Sequence, residues 1–175
     1  MLTMRSFVGD GPIIGLPAFQ RVLVLGAHPD DESLGCGGTI ALLRDAGADI
    51  HLVVASNGEA TKGSVKSPDE TARLRREEVA AAAAHFGASL QLLGLPDGAL
   101  GGCVEELAHE LRDIIDSRRP DVVFTPWLLD GHPDHQAAAR ALAAALSSSE
   151  SRPEVWGFET WTALIPNRIV DITWT

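Results

Sequence analysis

Short runs of apolar, mostly β-branched residues alternate along this chain with longer stretches of mixed apolar and charged positions. Residues 21–26 (RVLVLG) read as a buried strand closed by glycine, because an all-apolar run suits a strand covered on both faces. The same pattern predicts strands over 50–55, 90–93, 122–124 and 155–158, with a further candidate over 168–172. Between them the period lengthens to that of a helix. Helices are expected over 34–46, stopped by Gly47, over 70–86, stopped by Gly87, and over the Ala-rich 134–146. Val104, Leu107, Ala108, Leu111, Ile114 and Ile115 recur at steps of three and four and make the apolar face of another helix, which Pro120 ends. Residues 57–68 are polar, contain Gly58, Gly63 and Pro68, and predict a loop. Lys62 and Lys66 would ride on it were it a lid over a site. Pro96-Asp97-Gly98 is a turn signal.

Strand alternating with helix implies βαβ units, and parallel strands need such crossovers. The fold class expected is therefore α/β: one Rossmann-like, three-layer domain with a mostly parallel sheet, over residues 21–175, preceded by an extension over 1–20. In such sheets ligands sit beyond the carboxyl ends of the strands where the strand order reverses. Counting from residues 21–26, the order 3-2-1-4 puts that point between the first and fourth strands. Residues 28–32 and 130–135, about a hundred positions apart, then become neighbours.

At 175 residues the chain has room for one domain and little more. Fourteen Lys and Arg against 24 Asp and Glu give a net charge of −10, which argues against nucleic acid or an anionic membrane as the main partner. Cys36 and Cys103 make no disulfide framework and fit a reducing compartment. No apolar run reaches the ~18–20 residues of a membrane span, and the apolar start is broken by Gly9, Gly11, Pro12, Gly15 and Pro17 with Arg5 as its one arginine, so a signal peptide is not expected. A cytoplasmic protein is the expectation.

Two segments carry chemistry. Ala27-His28-Pro29-Asp30-Asp31-Glu32 follows the first strand, and Asp130-Gly131-His132-Pro133-Asp134-His135 follows the fourth. A spacing of three, as in His28/Asp31 and His132/His135, lets both members face one way on a helical turn. The donors are imidazole and carboxylate with no thiolate, the set of a catalytic zinc site with three protein ligands and one open position. Alone, a His-Pro-Asp tripeptide is a helix-starting turn, and Asp31 or Asp134 would then be a cap. Two such segments meeting at one place favour the site. Hydrolysis there needs ligands, a carboxylate off the metal to take a proton, and a donor beside the developing oxyanion. The residues by themselves leave open which does which.

The sequence resembles the LmbE/PIG-L family of zinc-dependent N-acetylglucosaminyl deacetylases. AHPDDE stands at 27–32, followed by Gly35, Gly37 and Gly38, and HPDH stands at 132–135. Ser56-Asn57-Gly58, Arg75, Glu78, Pro96-Asp97-Gly98 and Val170-Asp171-Ile172-Thr173 extend the likeness. The resemblance implies His28, Asp31 and His135 as metal ligands, Asp30 as general base and His132 as acid or oxyanion stabiliser. It implies Zn²⁺ and a small-molecule N-acetylated amino-sugar conjugate as substrate, contacted by Arg75 and Asp97; the carboxylate–imidazole donors by themselves also accept Fe²⁺ or Co²⁺. Asp134 would orient His132 through its ring N–H. Family members usually continue beyond the last strand candidate, which leaves a truncated or fused chain open.

Two other classes compete. A 2-His-1-carboxylate iron oxygenase has the same ligand types but no need of Asp30. A nucleotide- or phosphate-binding module would need no metal, but Gly35-Cys36-Gly37-Gly38 misses the dinucleotide pattern at Ile40, and acidic residues precede it. Those glycines suit close packing of helix on sheet. Cys36 is expected to be a buried small residue, and His51, His85 and His109, without acidic or His clusters at ligand spacing, packed or surface histidines. Trp156, Trp161 and Trp174 lie near the last strand candidates without an assigned role.

Overall fold

The computed structural model describes residues 13–61 and 64–173. The first twelve residues of the expected extension, Lys62 of the polar loop and Trp174 lie outside them. In chain order the elements are β1 (Ile13–Ile14), β2 (Arg21–Gly26), α1 (Asp31–Asp45), β3 (Asp49–Ser56), α2 (Pro68–Phe86), β4 (Ser89–Leu95), a 3-10 turn (Leu100–Gly102), α3 (Val104–Arg118), β5 (Val122–Pro126), α4 (Pro133–Ser148), β6 (Glu154–Phe158) and β7 (Ile169–Val170).

Strands β2 to β6 form one parallel sheet in the order β4-β3-β2-β5-β6. This is the order expected from sequence with β6 added beyond β5. The period of two in each strand divides its apolar residues between two cores. Val22 and Val24 of β2, Ile50 and Leu52 of β3, and Val122 and Phe124 of β5 pack with Ile40, Leu43 and Phe86 of α1 and α2. Leu23, Leu25, Val53 and Val123 point the other way, onto Leu107, Leu111 and Ile115 of α3 and Ala137, Ala141 and Leu142 of α4. Each fully buried Leu or Ile is worth roughly 1.5–3 kcal/mol relative to exposure, so the two faces together hold the three layers.

Local sequence sets the helix starts. Ser67 and Glu70 close a capping box ahead of Pro68 in α2. Helix α1 begins at Asp31, three residues earlier than the pattern predicts, because Asp31 and Glu32 occupy the first turn, where carboxylates favour the helix dipole. It kinks at Cys36 (φ −144°). A Cβ on Gly35 would overlap the Phe158 ring, so α1 can lie this close to β6 only with glycine there. The strand candidate over 168–172 shortens to β7, which joins β1 in a separate two-stranded parallel ribbon rather than the main sheet. Phe19, within the segment expected to be an extension, is buried in the core beside Trp156, ring centroids 5.7 Å apart.

The chain runs outward from β2 to β4 and returns through α3 to β5, so the order reverses between β2 and β5, which pair Val22 with Val122 and Val24 with Phe124. The loops leaving both strands open onto the same end of the sheet. No described helix is long and apolar enough to cross a membrane.

Candidate metal centre

Residues 27–31 turn sharply off β2 into α1. The turn is held by the Asp31 carboxylate, whose Oδ2 accepts from the backbone N–H groups of Ala27 (2.8 Å) and His28 (2.9 Å). Asp30 occupies the cap position at φ 128°, a region that side-chain-bearing residues adopt only under strain, at a cost of about 1–3 kcal/mol. Glu32, a buried side chain, steadies the turn by accepting from Ser33 Oγ (2.8 Å) and Asp30 N (3.3 Å).

The second segment enters α4 at His132, whose Nδ1 accepts from Asp134 N at 3.2 Å. The caps are thus Asp30, which makes no side-chain capping bond, and His132, not Asp31 or Asp134. Both expected caps sit inside the first helical turns with carboxylates committed elsewhere.

The switch point brings the segments together as expected. Ring centroids of His28, His132 and His135 lie 4.8, 4.9 and 5.3 Å apart in pairs. Asp31 reaches both outer rings: Oδ1 is 3.2 Å from His135 Nε2, and Oδ2 is 3.7 Å from His28 Nδ1. Nε2 of His28 faces Asp134 Oδ2 and Asp97 Oδ1, each at 3.1 Å. Between two carboxylates that nitrogen carries the proton, which in the neutral ring leaves the Nδ1 lone pair on the Asp31 side.

Among the described residues, two sets of three present ligand atoms within 4.8 Å of one another, His28/His132/His135 and His28/Asp97/Asp134. The second is already satisfied from within the protein. Asp134 Oδ2 accepts from Gly98 N (2.7 Å), its Oδ1 from Leu100 N (3.1 Å), and Asp97 Oδ2 from Ala60 N (2.8 Å). The His135 side is not. Its ring is fully buried, and neither nitrogen makes a hydrogen bond, although Asp31 and Asp130 oxygens stand 3.2 Å away out of line. A buried imidazole left so is costly unless something else uses its lone pair. Its 3.2 Å spacing from Asp31 also matches the edge of about 3.3 Å that two ligands ~2.0–2.1 Å from a tetrahedral zinc define. Asp31 is in neither set of three, but with its oxygens 3.2 Å from His135 and 3.7 Å from His28 it adds a carboxylate to the imidazoles, and this donor chemistry would suit a divalent cation.

Charge around the cluster is arranged accordingly. Burial works against a charged His28, but Asp31, Asp97 and Asp134 outweigh it and hold the ring at a pKa of about 9 without metal. Burial also opposes ionisation of Asp31, yet His135 and His28 keep its carboxylate well below the usual range. His132 moves the other way: burial, then the neighbouring His28 and His135, lower its affinity for a proton. Burial raises Asp30, with Asp31 and Glu32 adding to it and the Arg75 guanidinium opposing.

Arg75, expected at the sugar, is drawn in from α2 onto the first segment. Its Nη2 is 3.0 Å from Asp30 Oδ2 and bonds the Pro29 carbonyl, and Nη1 donates to Thr61 Oγ1 at 3.2 Å. Asp97 spends its oxygens on His28 and Ala60, with its own N–H on Glu59 Oε1 (2.9 Å). The Asp134 carboxylate, expected on His132, holds His28 instead; His132 receives the Asp134 backbone N–H, because its cap position turns Nδ1 onto the helix end.

Asp130 was legible only as part of an acidic cluster and has no role that spacing reveals. Fully buried, it accepts from His132 N (2.8 Å) through Oδ1, which also lies 3.2 Å from His135 Nδ1. Oδ2 accepts from Trp161 N (3.1 Å) and Thr162 N (3.2 Å). Cys36 is buried, and burial with Glu32 and Asp31 nearby pushes its thiol far up, away from nucleophilic use. His51 bonds Ser89 Oγ at 2.8 Å in the interior, and His109 pairs on the surface with Asp113.

Comparison with known proteins agrees with this fold. The family model described as PIG-L, GlcNAc-PI de-N-acetylase, matches residues 23–146. The 1D-myo-inositol 2-acetamido-2-deoxy-alpha-D-glucopyranoside deacetylase of Kineococcus radiotolerans is 34% identical over 166 residues, covering 72% of this chain and 45% of the relative. Among solved structures, the N,N'-diacetylchitobiose deacetylase of Pyrococcus horikoshii superposes with a TM-score of 0.75 at 29% identity, over 89% of this chain and 65% of that one. The 4-carboxy-2-hydroxymuconate hydratase of Pseudomonas putida KT2440 follows at 0.70 and 26%, over 81% and 66%. The chain spans about half the length of the curated relatives it matches.

Proposed function

The chain belongs to the PIG-L family, and on that premise we propose that it is a zinc-dependent hydrolase removing the acetyl group from an N-acetylglucosamine-type conjugate. The observation that carries the reading is the buried His135 ring, without a hydrogen bond at either nitrogen, 3.2 Å from the Asp31 carboxylate and beside His28. An N/O donor set without thiolate also accepts Fe²⁺ or Co²⁺.

Three side chains would hold the ion: His28 through Nδ1, Asp31 through Oδ1 and His135 through Nε2. Bound there, zinc would polarise an amide carbonyl and lower the pKa of a coordinated water toward ~7. Asp30 lies outside that set, half exposed and steadied by Arg75, with burial raising its appetite for a proton; it takes the proton of the attacking water. His132 accepts the Asp134 N–H at Nδ1, so its neutral ring carries the proton on Nε2 and offers it to the oxyanion and then to the departing amine. Acetate and a free amino sugar result. Asp97 and Asp134 keep the His28 ring oriented.

An oxygenase has no use for the strained, arginine-backed Asp30, and a phosphate-binding module none for this acidic cluster. The hydratase neighbour defines the competing reaction, since it too would consume water but release no acetate. The test is acetate release from a panel of N-acetylglucosamine conjugates. Release that stops with chelator and returns with Zn²⁺ is expected; chelator-resistant release, or none from the zinc-loaded protein, overturns the reading.

A further inference from the structure

We infer that Trp161 is a stacking platform for the pyranose ring that bears the acetamide. This rests on the deacetylase reading and names a part of the substrate site that no spacing in the sequence reveals.

Trp161 is 74% exposed, and its ring centroid lies 6.1 Å from that of His132, the planes inclined by 37°. A lone exposed tryptophan is unremarkable in itself. The loop that carries this one is held in place. Its backbone N–H and that of Thr162 donate to Asp130 Oδ2, and Thr162 Oγ1 accepts from Gly131 N at 2.7 Å. Leu164 N donates to Glu159 Oε2 at 2.9 Å, closing the same loop on itself. A Cβ on Gly131 would stand 2.8 Å from Thr162 Oγ1, so the tie needs glycine at that position. The turn carrying His132 and the loop carrying Trp161 are therefore one piece, joined by a fully buried carboxylate whose other oxygen faces His135.

The result is an exposed indole, on a loop tied to the turn that carries His132, with its ring 6.1 Å from that imidazole. When an acetamide carbon reaches His132, the sugar ring follows one amide link behind. A pyranose presents C–H groups on one face, and these carry the partial positive charge that the face of an aromatic ring attracts. The hydroxyls stay at the edge, free for water. An open-chain N-acetylated amine has no such face to offer. The platform thus selects for a ring next to the scissile amide.

The experiment compares wild type with Trp161→Ala and Trp161→Phe, each checked for retained metal. It measures kcat and KM for a methyl N-acetylglucosaminide and for open-chain N-acetylethanolamine, and calorimetric binding of the glucosaminide to metal-free protein. For Trp161→Ala, roughly a 10-fold or greater rise in KM and in the dissociation constant for the sugar is expected, with kcat nearly unchanged, no change for the open-chain amide, and recovery in Trp161→Phe. Unchanged sugar binding and KM in Trp161→Ala, while wild type releases acetate normally, overturns the platform alone. Absence of acetate release by zinc-loaded wild type overturns the deacetylase reading and the platform with it.

Discussion

Nε2 of His28 stands 3.1 Å from the carboxylate of Asp134, across 106 positions of sequence. One residue leaves β2 and the other enters α4, and their contact joins the two halves of the sheet at the place where its strand order reverses. The same carboxylate takes the N–H groups of Gly98 and Leu100, so it ties the turn after β4 to the cluster as well.

Asp134→Asn should therefore weaken the metal site without abolishing it. An amide can still accept one of these bonds but loses the charge that holds the His28 ring. Metal affinity measured by chelator competition is expected to fall roughly 10–100-fold. Affinity equal to wild type would remove Asp134 from the support of the site.

Asp30 separates chemistry from fold. Asp30→Ala should retain its metal while kcat falls about 10²–10⁴-fold, the usual worth of a general base. Since φ is 128° at this position, Asp30→Gly should be equally inactive yet more stable than Asp30→Ala by about 1 kcal/mol in denaturant unfolding. Equal stability of the two variants would show that the backbone relaxes without cost.

Gly35→Ala adds a single carbon where the Phe158 ring already lies. Overpacking at this contact of α1 with β6 should cost about 1–3 kcal/mol in unfolding free energy, and Phe158→Leu in the same chain should recover part of it. Additive losses in the double variant would place the effect elsewhere.

Cys36 should resist alkylation in the native protein at mildly alkaline pH, because burial and the nearby Glu32 and Asp31 oppose its thiolate. Peptide mass analysis after iodoacetamide treatment is expected to find Cys36 modified only once denaturant is present. Native-state modification would contradict its environment.

Much of the fold was legible because its signals are local. The apolar runs place five strands of the main sheet, the helical periods place α1 to α4, and Gly47 and Gly87 stop the helices they were expected to stop. The misreadings have local causes too. The acidic start of α1 reads as loop until its carboxylates are seen at the helix N-terminus. Residues 168–172 carry strand propensity but pair with Ile13–Ile14, a partner no periodicity names.

By itself, then, the sequence determined the layers, the helices to within about three residues at their starts, and the chemical identity of the two clusters, because side-chain period and residue type act over a few neighbouring positions. Only the tertiary structure decided how the carboxylates are shared: Asp134 to His28 rather than His132, Asp97 to His28 and Ala60, Arg75 to Asp30, Asp130 to both His135 and the Trp161 loop. Each of these groups had several partners of suitable chemistry within reach of the chain. Which one it met was set by the turn geometry at the ends of β2, β4 and β5, which follows from the packing of the whole sheet.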